Sequence, residues 1–210
     1  MKIAGFKDTI DWYNLNANQY SKAIENIVLD HNIDKFISLI PPNSLVLDAG
    51  CSAGKDMNVL TQKGLHTVGV DLSSGLLKVG KEKYPSMSLI QANFLKLPFA
   101  NNLFNGIWAN SSLVHLETIE DVENTLTEFN RVLKDRGVLY TYVKAQTGSN
   151  ETEVIKDKLS NHDRFFRYYT EDKVKTFLEA SKFKIIDIGK EPDLSRRPGV
   201  EWIVAFARKV

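Results

Sequence analysis

Leu45-Val46-Leu47-Asp48-Ala49-Gly50-Cys51-Ser52-Ala53-Gly54-Lys55-Asp56 runs three apolar residues into an acid and then a loop of small residues, and the amphipathic positions Met57, Val59 and Leu60 follow at once. That order predicts a buried strand, a tight turn and a helix. In an open parallel sheet such a turn lies at the carboxyl end of a strand, where ligands bind beside a helix N-terminus. The chain is therefore expected to be α/β, with its site at this turn.

The loop departs from the dinucleotide pattern G-x-G-x-x-G, because a start at Gly50 requires glycines where Ser52 and Lys55 stand. Asp48, one strand position before the turn, would also repel a pyrophosphate. These residues disfavour an NAD-dependent oxidoreductase. A Walker loop is excluded as well, since Gly54-Lys55 is followed by Asp56 and the upstream glycine is missing. A ligand with a cationic amino acid end and a ribose suits an acid here, and S-adenosylmethionine is such a ligand.

Asp48-Ala49-Gly50-Cys51-Ser52-Ala53-Gly54 resembles motif I, D-x-G-x-G-x-G, of the class I S-adenosylmethionine-dependent methyltransferases. The resemblance implies that Asp48, Gly50, Cys51, Ser52 and Gly54 hold the cofactor. Ser52 replaces the middle glycine, and a serine is expected there at negative φ. His66 to Asp71 reads as a second buried strand ending in an acid, and Asp71 follows Asp48 by 23 positions (71 − 48). That is near the interval at which a βαβ unit brings an acid onto a ribose diol. Val68-Gly69-Val70-Asp71-Leu72-Ser73 is also similar to the family's V-G-x-D-x-S segment, which adds Leu72 to the expected site. The alternative for Asp71 is a helix cap for the segment from Ser73.

The third strand, Ser88 to Ala92, leads to Asn93 and Phe94. Asn93 stands where the family usually has Asp and keeps an acceptor for the adenine amino group. Phe94 is expected to stack along the adenine or to serve as a core aromatic under the loop. Phe104 to Leu116 resembles the family's F-D-x-V…L-x-H-L stretch, with Asn105 replacing Asp. By position, Asn110 and Ser111 face the sulfonium and the incoming substrate. His115 is either a base near neutral pH or a histidine that fixes the start of the next helix. Asn110-Ser111-Ser112-Leu113 lacks the Asp/Asn-Pro-Pro-Tyr/Phe sequence of methylases acting on amino groups of adenine, cytosine or glutamine, which argues against that chemistry.

A helix with Val122, Leu126, Phe129 and Leu133 on one face ends in Lys134-Asp135-Arg136-Gly137, where the family usually has Lys-Pro-Gly-Gly, and Val138 to Lys144 is the fifth strand. Residues 145–170 lose periodicity. Gly148-Ser149-Asn150 reads as a joint, and Asn161 to Thr170 is dense in aromatic and basic residues. This segment is expected to be a lid or substrate wall, with Arg164 and Arg167 as carboxylate or phosphate binders and Tyr168 or Tyr169 packing on a ring. The alternative is a helix-capping segment with solvated arginines. Phe183 to Ile188 and Glu201 to Ala207 read as two closing strands, and the Ser195-Arg196-Arg197-Pro198-Gly199 connection is too short for a nucleic-acid patch.

Upstream of the turn, residues 12–40 read as helical, with Tyr20, Ile24, Ile27 and Val28 on one face and Ile33, Phe36, Ile37 and Ile40 on another, until Pro41-Pro42 stops the pattern. Tyr13 to Tyr20 is similar to the family's Y-x-x-x-A-x-x-Y segment, which implies that Tyr20, with Tyr13, covers the methionine end of the cofactor. An ordinary amphipathic helix with aromatic core residues is the alternative.

The 210 residues are expected to form one domain: a helical lead-in over 1–42, a cofactor core over 43–144, a lid or substrate segment over 145–170, and a closing helix and strands over 171–210. The expected fold is a doubly wound, Rossmann-like sheet of seven mainly parallel strands, the last antiparallel, with helices on both faces. Lys plus Arg is 27 against 26 Asp plus Glu, so nothing in the balance demands nucleic acid or membrane partners. A single Cys51, no Cys/His metal cluster and no apolar run of signal or spanning length lead us to expect a cytoplasmic protein without metal. The expected activity is methyl transfer from S-adenosylmethionine to a small molecule. A tRNA wobble-uridine carboxymethyl methyltransferase is the alternative substrate class, and a catalytically silent cofactor-binding regulatory subunit is the alternative function. The acceptor and oligomeric state are not set by these residues.

Overall fold

In the computed structural model, residues 6–27, 29–156, 162–193 and 199–210 are described. Val28, Asn161 and the connection 195–198, which figured in the expectations above, lie outside them. The lead-in forms α1 (Phe6–Leu15), α2 (Ala17–Ile24) and α3 (Asp30–Ser38) rather than one continuous pattern. Asn16 causes the first break. Its Nδ2 donates back to the Trp12 carbonyl at 2.9 Å, the local competition with helical backbone that makes Asn a poor helix interior.

The organising turn joins β1 (Leu45–Ala49) to α4 (Lys55–Gln62), and one further βα unit and a strand follow as β2 (His66–Asp71), α5 (Ser74–Lys83) and β3 (Ser88–Gln91). The chain then crosses back to β4 (Phe104–Asn110), a 3₁₀ turn (Leu113–His115), α6 (Ile119–Val132) and β5 (Leu133–Lys144). It closes with a hairpin of β6 (Thr152–Ile155) and β7 (Arg164–Arg167), then α7 (Glu171–Ala180), β8 (Phe183–Pro192) and β9 (Glu201–Lys209). The main sheet has the order β3-β2-β1-β4-β5-β9-β8. Strands β1 to β5 pair in parallel, while β9 runs antiparallel to both β5 and β8. The order reverses between β1 and β4, where Asp48 sits opposite Trp108. That reversal opens a crevice at the carboxyl edge of the sheet.

The central strands are apolar on both faces because helices cover both. Leu47, Ile107, Trp108, Leu139 and Tyr140 are fully buried. Trp108 stacks on Tyr140 with centroids 3.7 Å apart, and Phe36 of α3 meets its edge at 5.4 Å. β5 begins five residues before the expected Val138. The register with β4 shifts where residues 134–137 bulge, and Arg136 takes φ +63° at the place where the family pattern has glycine.

The unpatterned segment 145–170 contains the β6–β7 hairpin. Strands of four residues are too short for alternation to declare itself. A parallel bridge from Ala145 to Tyr169 ties this hairpin to the end of β5. α1 lies between the hairpin and α5 and is locked to α5 by Asn14, whose Oδ1 accepts from Ser73 Oγ at 2.8 Å and from the Gly75 amide at 3.0 Å. A Cβ at Gly75 would stand 2.6 Å from the Asn14 carbonyl oxygen and 2.9 Å from its Cα, so only glycine allows this approach. Gly75→Ala is therefore expected to lift α1 from the sheet edge and speed amide hydrogen exchange across residues 6–15, leaving β1, β4 and β5 protected. Unchanged exchange in α1 would contradict this packing.

Candidate active site

The loop after β1 doubles back on β2. Gly50 and Cys51 amides both donate to the Val70 carbonyl, at 2.8 and 3.0 Å, and Gly54 donates to the Cys51 carbonyl at 2.8 Å. Gly50 has φ +84°, and a Cβ there would meet Ser112 Cβ at 2.5 Å, so backbone itself forms the wall at this point. Ser52 corrects the expectation of negative φ: it takes +52°. The left-handed turn aims the Ser52 amide at Asp71 Oδ2, 2.9 Å away, and that charge-assisted bond offsets the strain. Asp71 Oδ1 accepts the Ser73 amide at 2.8 Å. Asp71 thus caps locally and lines the cavity at once; the helix N-cap proper is Ser73, whose Oγ accepts from Leu76.

A cavity of about 460 Å³ opens at the crevice, within the range of small-molecule sites. It brings together Asp48, Gly50, Cys51, Ser52, Asp71, Leu72, Phe94, Asn110 and Ser111 from the floor and Tyr20 and His115 from above. Five expected residues do not line it: Gly54, Asn93, Arg167, Tyr168 and Tyr169. Gly54 forms the left-handed N-cap of α4 and faces Met87 and Tyr84. Asn93 folds its Oδ1 onto the Leu95 amide at 2.9 Å, an Asx turn. Arg167 corrects the expected substrate contact: its buried guanidinium donates to the Leu116 and Glu117 carbonyls. The reason is strand alternation, because β7 turns Phe165 and Arg167 inward against the fold and Arg164 and Phe166 toward the cavity. Tyr168 meets Lys144, and the buried Tyr169 donates to the Leu113 carbonyl at 2.9 Å. Phe94 is the core aromatic expected under the loop, meeting Phe129 edge-on at 6.0 Å, and it also lines the cavity.

The floor is acidic. Asp48 is 2% exposed and its Oδ2 has no hydrogen-bond partner among the described residues. Burial, then the nearby Asp56 and Asp71, push its carboxyl well above the usual range. Burial also raises Asp71, against the pull of its backbone hydrogen bonds. Asp56 was not anticipated. Its Oδ2 accepts from Trp108 Nε1 at 3.0 Å and Asn110 Nδ2 at 2.7 Å, and Lys55 pairs with its Oδ1 at 2.7 Å. Asn110 in turn accepts from Ser111 Oγ at 3.0 Å. An acid at the start of a helix after a small-residue turn was the available signal. Burial and the acids raise the Cys51 thiol well above its usual pKa, which leaves it unreactive.

The upper wall comes from α1, α2 and β7. His115 Nδ1 lies 2.8 Å from the Phe165 carbonyl and must donate to it, so Nε2 is the acceptor for the Tyr13 hydroxyl at 2.9 Å. Burial first, with Arg164 nearby, lowers the imidazole pKa to about 4. His115 is therefore neutral, in one tautomer, with both nitrogens engaged. Tyr13 and Tyr20 meet edge-on at 5.0 Å, and the Arg164 guanidinium lies 3.8 Å over the Trp12 ring. Of this wall, the Tyr13–His115 bond was hidden from the sequence, because 102 positions separate the partners.

A sequence profile described as a methyltransferase domain matches residues 47–141. An uncharacterized protein of Methanocaldococcus jannaschii is 32% identical over 187 residues, covering 86% of this chain and 75% of that protein. A demethylmenaquinone methyltransferase of Renibacterium salmoninarum is 33% identical over 98 residues, 47% of this chain and 40% of the enzyme, so the chain spans well under two thirds of that relative. In fold, 1,6-didemethyltoxoflavin-N1-methyltransferase of Burkholderia thailandensis, solved with 1,6-didemethyltoxoflavin and S-adenosylhomocysteine, superposes with a TM-score of 0.71 at 17% identity, over 100% of this chain and 92% of that one. Residues 47–141 thus carry the methyltransferase domain, and the fold is the one seen in solved S-adenosylmethionine-dependent methyltransferases. Among the described residues no helix is long and apolar enough to cross a membrane.

The His115 environment sets a pH dependence. Its folded pKa of about 4 lies below the ordinary 6.5, so the unfolded chain binds the extra proton between those values and stability falls as pH drops through that window. His115→Gln is expected to flatten this limb, by up to about 3 kcal/mol, in denaturant titrations at stepped pH. Parallel wild-type and variant curves would refute the assignment.

Proposed function

We propose that this chain transfers a methyl group from S-adenosylmethionine to a small-molecule nucleophile. The observation that carries the reading is the cavity at the strand-order reversal, with Asp48 and Asp71 at the ends of adjacent strands and an aromatic upper wall. The residues suit the cofactor: an orphaned buried carboxylate oxygen on Asp48 accepts from a cationic amino acid end, and backbone at Gly50 admits a ligand where a side chain would not fit. When bound, the cofactor supplies a methyl group on a sulfonium, a good leaving group, for in-line displacement.

Each Asp71 oxygen already accepts one backbone amide and keeps a lone pair for a ribose hydroxyl. Phe94 offers an aromatic surface beside Gly50, and Asn110, held by Asp56 and Ser111, presents its amide at the end of β4. Tyr13, Tyr20 and β7 exclude water above, which strengthens the polar contacts below. His115 is a positioning residue: neutral, it holds the Tyr13 hydroxyl in place and is not free to take a proton. Orientation and desolvation, without a dedicated base, supply most of the acceleration. The near balance of 27 basic and 26 acidic residues and a cavity of about 460 Å³ favour a small acceptor over tRNA.

Calorimetry with S-adenosylmethionine and S-adenosylhomocysteine tests the cofactor. Micromolar binding, about −8 kcal/mol, is expected for the wild type and at least a tenfold loss for Asp71→Ala. Release of S-adenosylhomocysteine from small-molecule pools but not from tRNA then tests the acceptor class; turnover of tRNA alone, abolished by moderate salt, would reverse it. Failure to bind either sulfur ligand would remove the proposal. A second outcome concerns Asp48. Its raised folded pKa means that stability present below the ordinary carboxylate pKa is lost as pH rises through the folded value. Asp48→Asn is thus expected to be more stable than wild type at pH 7, by about 1–3 kcal/mol in denaturant titration, while binding the cofactor more weakly. A destabilised variant would show the burial cost to be compensated.

A further inference from the structure

The cavity continues past the acidic floor. Along the carboxyl edge, Asp71 ends β2, Asp48 lies near the end of β1 and Asn110 ends β4; beyond them Tyr142 of β5 and Trp202 of β9 carry the wall onward. Their rings stack at 4.7 Å with planes 7° apart, and Trp202 Nε1 donates to Asp193 Oδ1 at 2.8 Å, which fixes the indole. These strands lie on the far side of β4 from the Asp48–Asp71 pair, so this end of the cavity is the acceptor's.

The upper wall carries a cation beside Tyr13 and His115. β7 presents Arg164 and Phe166 on one face, the guanidinium carbon 5.5 Å from the Phe166 ring centroid. The same guanidinium stacks 3.8 Å over Trp12, and no carboxylate among the described residues lies within ion-pair distance of it. Lys55, the other cation among the described lining residues, is already paired with Asp56 and donates to the Ile27 carbonyl. A half-buried planar cation with an aromatic backing and no counter-ion is costly to keep unless an anion arrives.

We infer that the methyl acceptor is an aromatic carboxylic acid, its carboxylate held by the Arg164 fork and its ring against Phe166, with Tyr142 and Trp202 as the wall behind. Guanidinium and carboxylate match in a bidentate pair, and an adjacent aromatic face orients a planar ring. The carboxylate is an anchor rather than the nucleophile, because the charge-assisted pair with the Arg164 guanidinium lowers the nucleophilicity of its oxygens. This inference rests on the methyl-transfer reading above and adds to it the acceptor's chemical class.

The test titrates protein saturated with S-adenosylhomocysteine with 4-hydroxybenzoate and, separately, 4-hydroxybenzamide, on the wild type, Arg164→Met and Arg164→Lys. S-adenosylhomocysteine affinity and thermal midpoint are measured for each. The wild type is expected to prefer the acid by at least about tenfold. Arg164→Met erases that preference, Arg164→Lys keeps part of it, and S-adenosylhomocysteine affinity stays within about twofold. Equal binding of acid and amide, or no binding of either at millimolar concentration, overturns the inference. So does loss of S-adenosylhomocysteine affinity in Arg164→Met, which would assign the guanidinium to the cofactor's own carboxylate. If Arg164→Met does not fold, the acid-to-amide ratio and Arg164→Lys still decide. A wild type that fails to bind S-adenosylhomocysteine defeats the methyl-transfer reading itself, an outcome distinct from binding that is indifferent to Arg164.

Discussion

The Asp71 carboxylate fastens the site together. One oxygen accepts the Ser52 amide from the turn after β1 and the other accepts the Ser73 amide at the start of α5. Without the first bond, a serine at φ +52° has no compensation for its backbone strain. Ser73, held by the second, bonds Asn14 through its hydroxyl, and Asn14 brings α1 over the cavity. A single charged group thereby couples the floor of the site to its upper wall, across chain segments far apart in sequence.

Charge is sorted along the cavity. Three carboxylates crowd the β1–β2 side, with Asp48 partnerless at one oxygen among the described residues, whereas Arg164 stands without a counter-ion among those residues on the upper wall beside Tyr13 and His115. The carboxylate cluster costs stability, since burial penalises the charged forms. Under the proposed function, a cationic group on the ligand relieves that cost.

Local chemistry carries some assignments and fails at others. Val46 to Ala49 announced a fully buried strand because three consecutive apolar residues met a small-residue turn, and the strand is buried from Val46 onward. Thr170 before the acidic Glu171 and Asp172 is a local helix-start signal, and Thr170 Oγ1 accepts the Lys173 amide at the N-terminus of α7. The β6–β7 hairpin escaped notice because its strands have four residues each, too few for a period to show. Arg164 and Arg167 were equivalent in the sequence, three apart in an aromatic segment; only membership of a strand separates them, since positions three apart then lie on opposite faces.

What the sequence by itself determined is the α/β order of elements, the turn at Asp48 to Gly54, the acid at Asp71 and the methyltransferase domain that carries them, because each depends on contacts between near neighbours or on a spacing within one βαβ unit. The tertiary structure decided the rest. It chose Arg164 over Arg167, made Asp56 a buried acceptor for Trp108 and Asn110, bent Ser52 into the left-handed region, and closed His115 against Tyr13. Those outcomes depend on which groups packing brings within about 3 Å of one another. Distance along the chain carries no information about that.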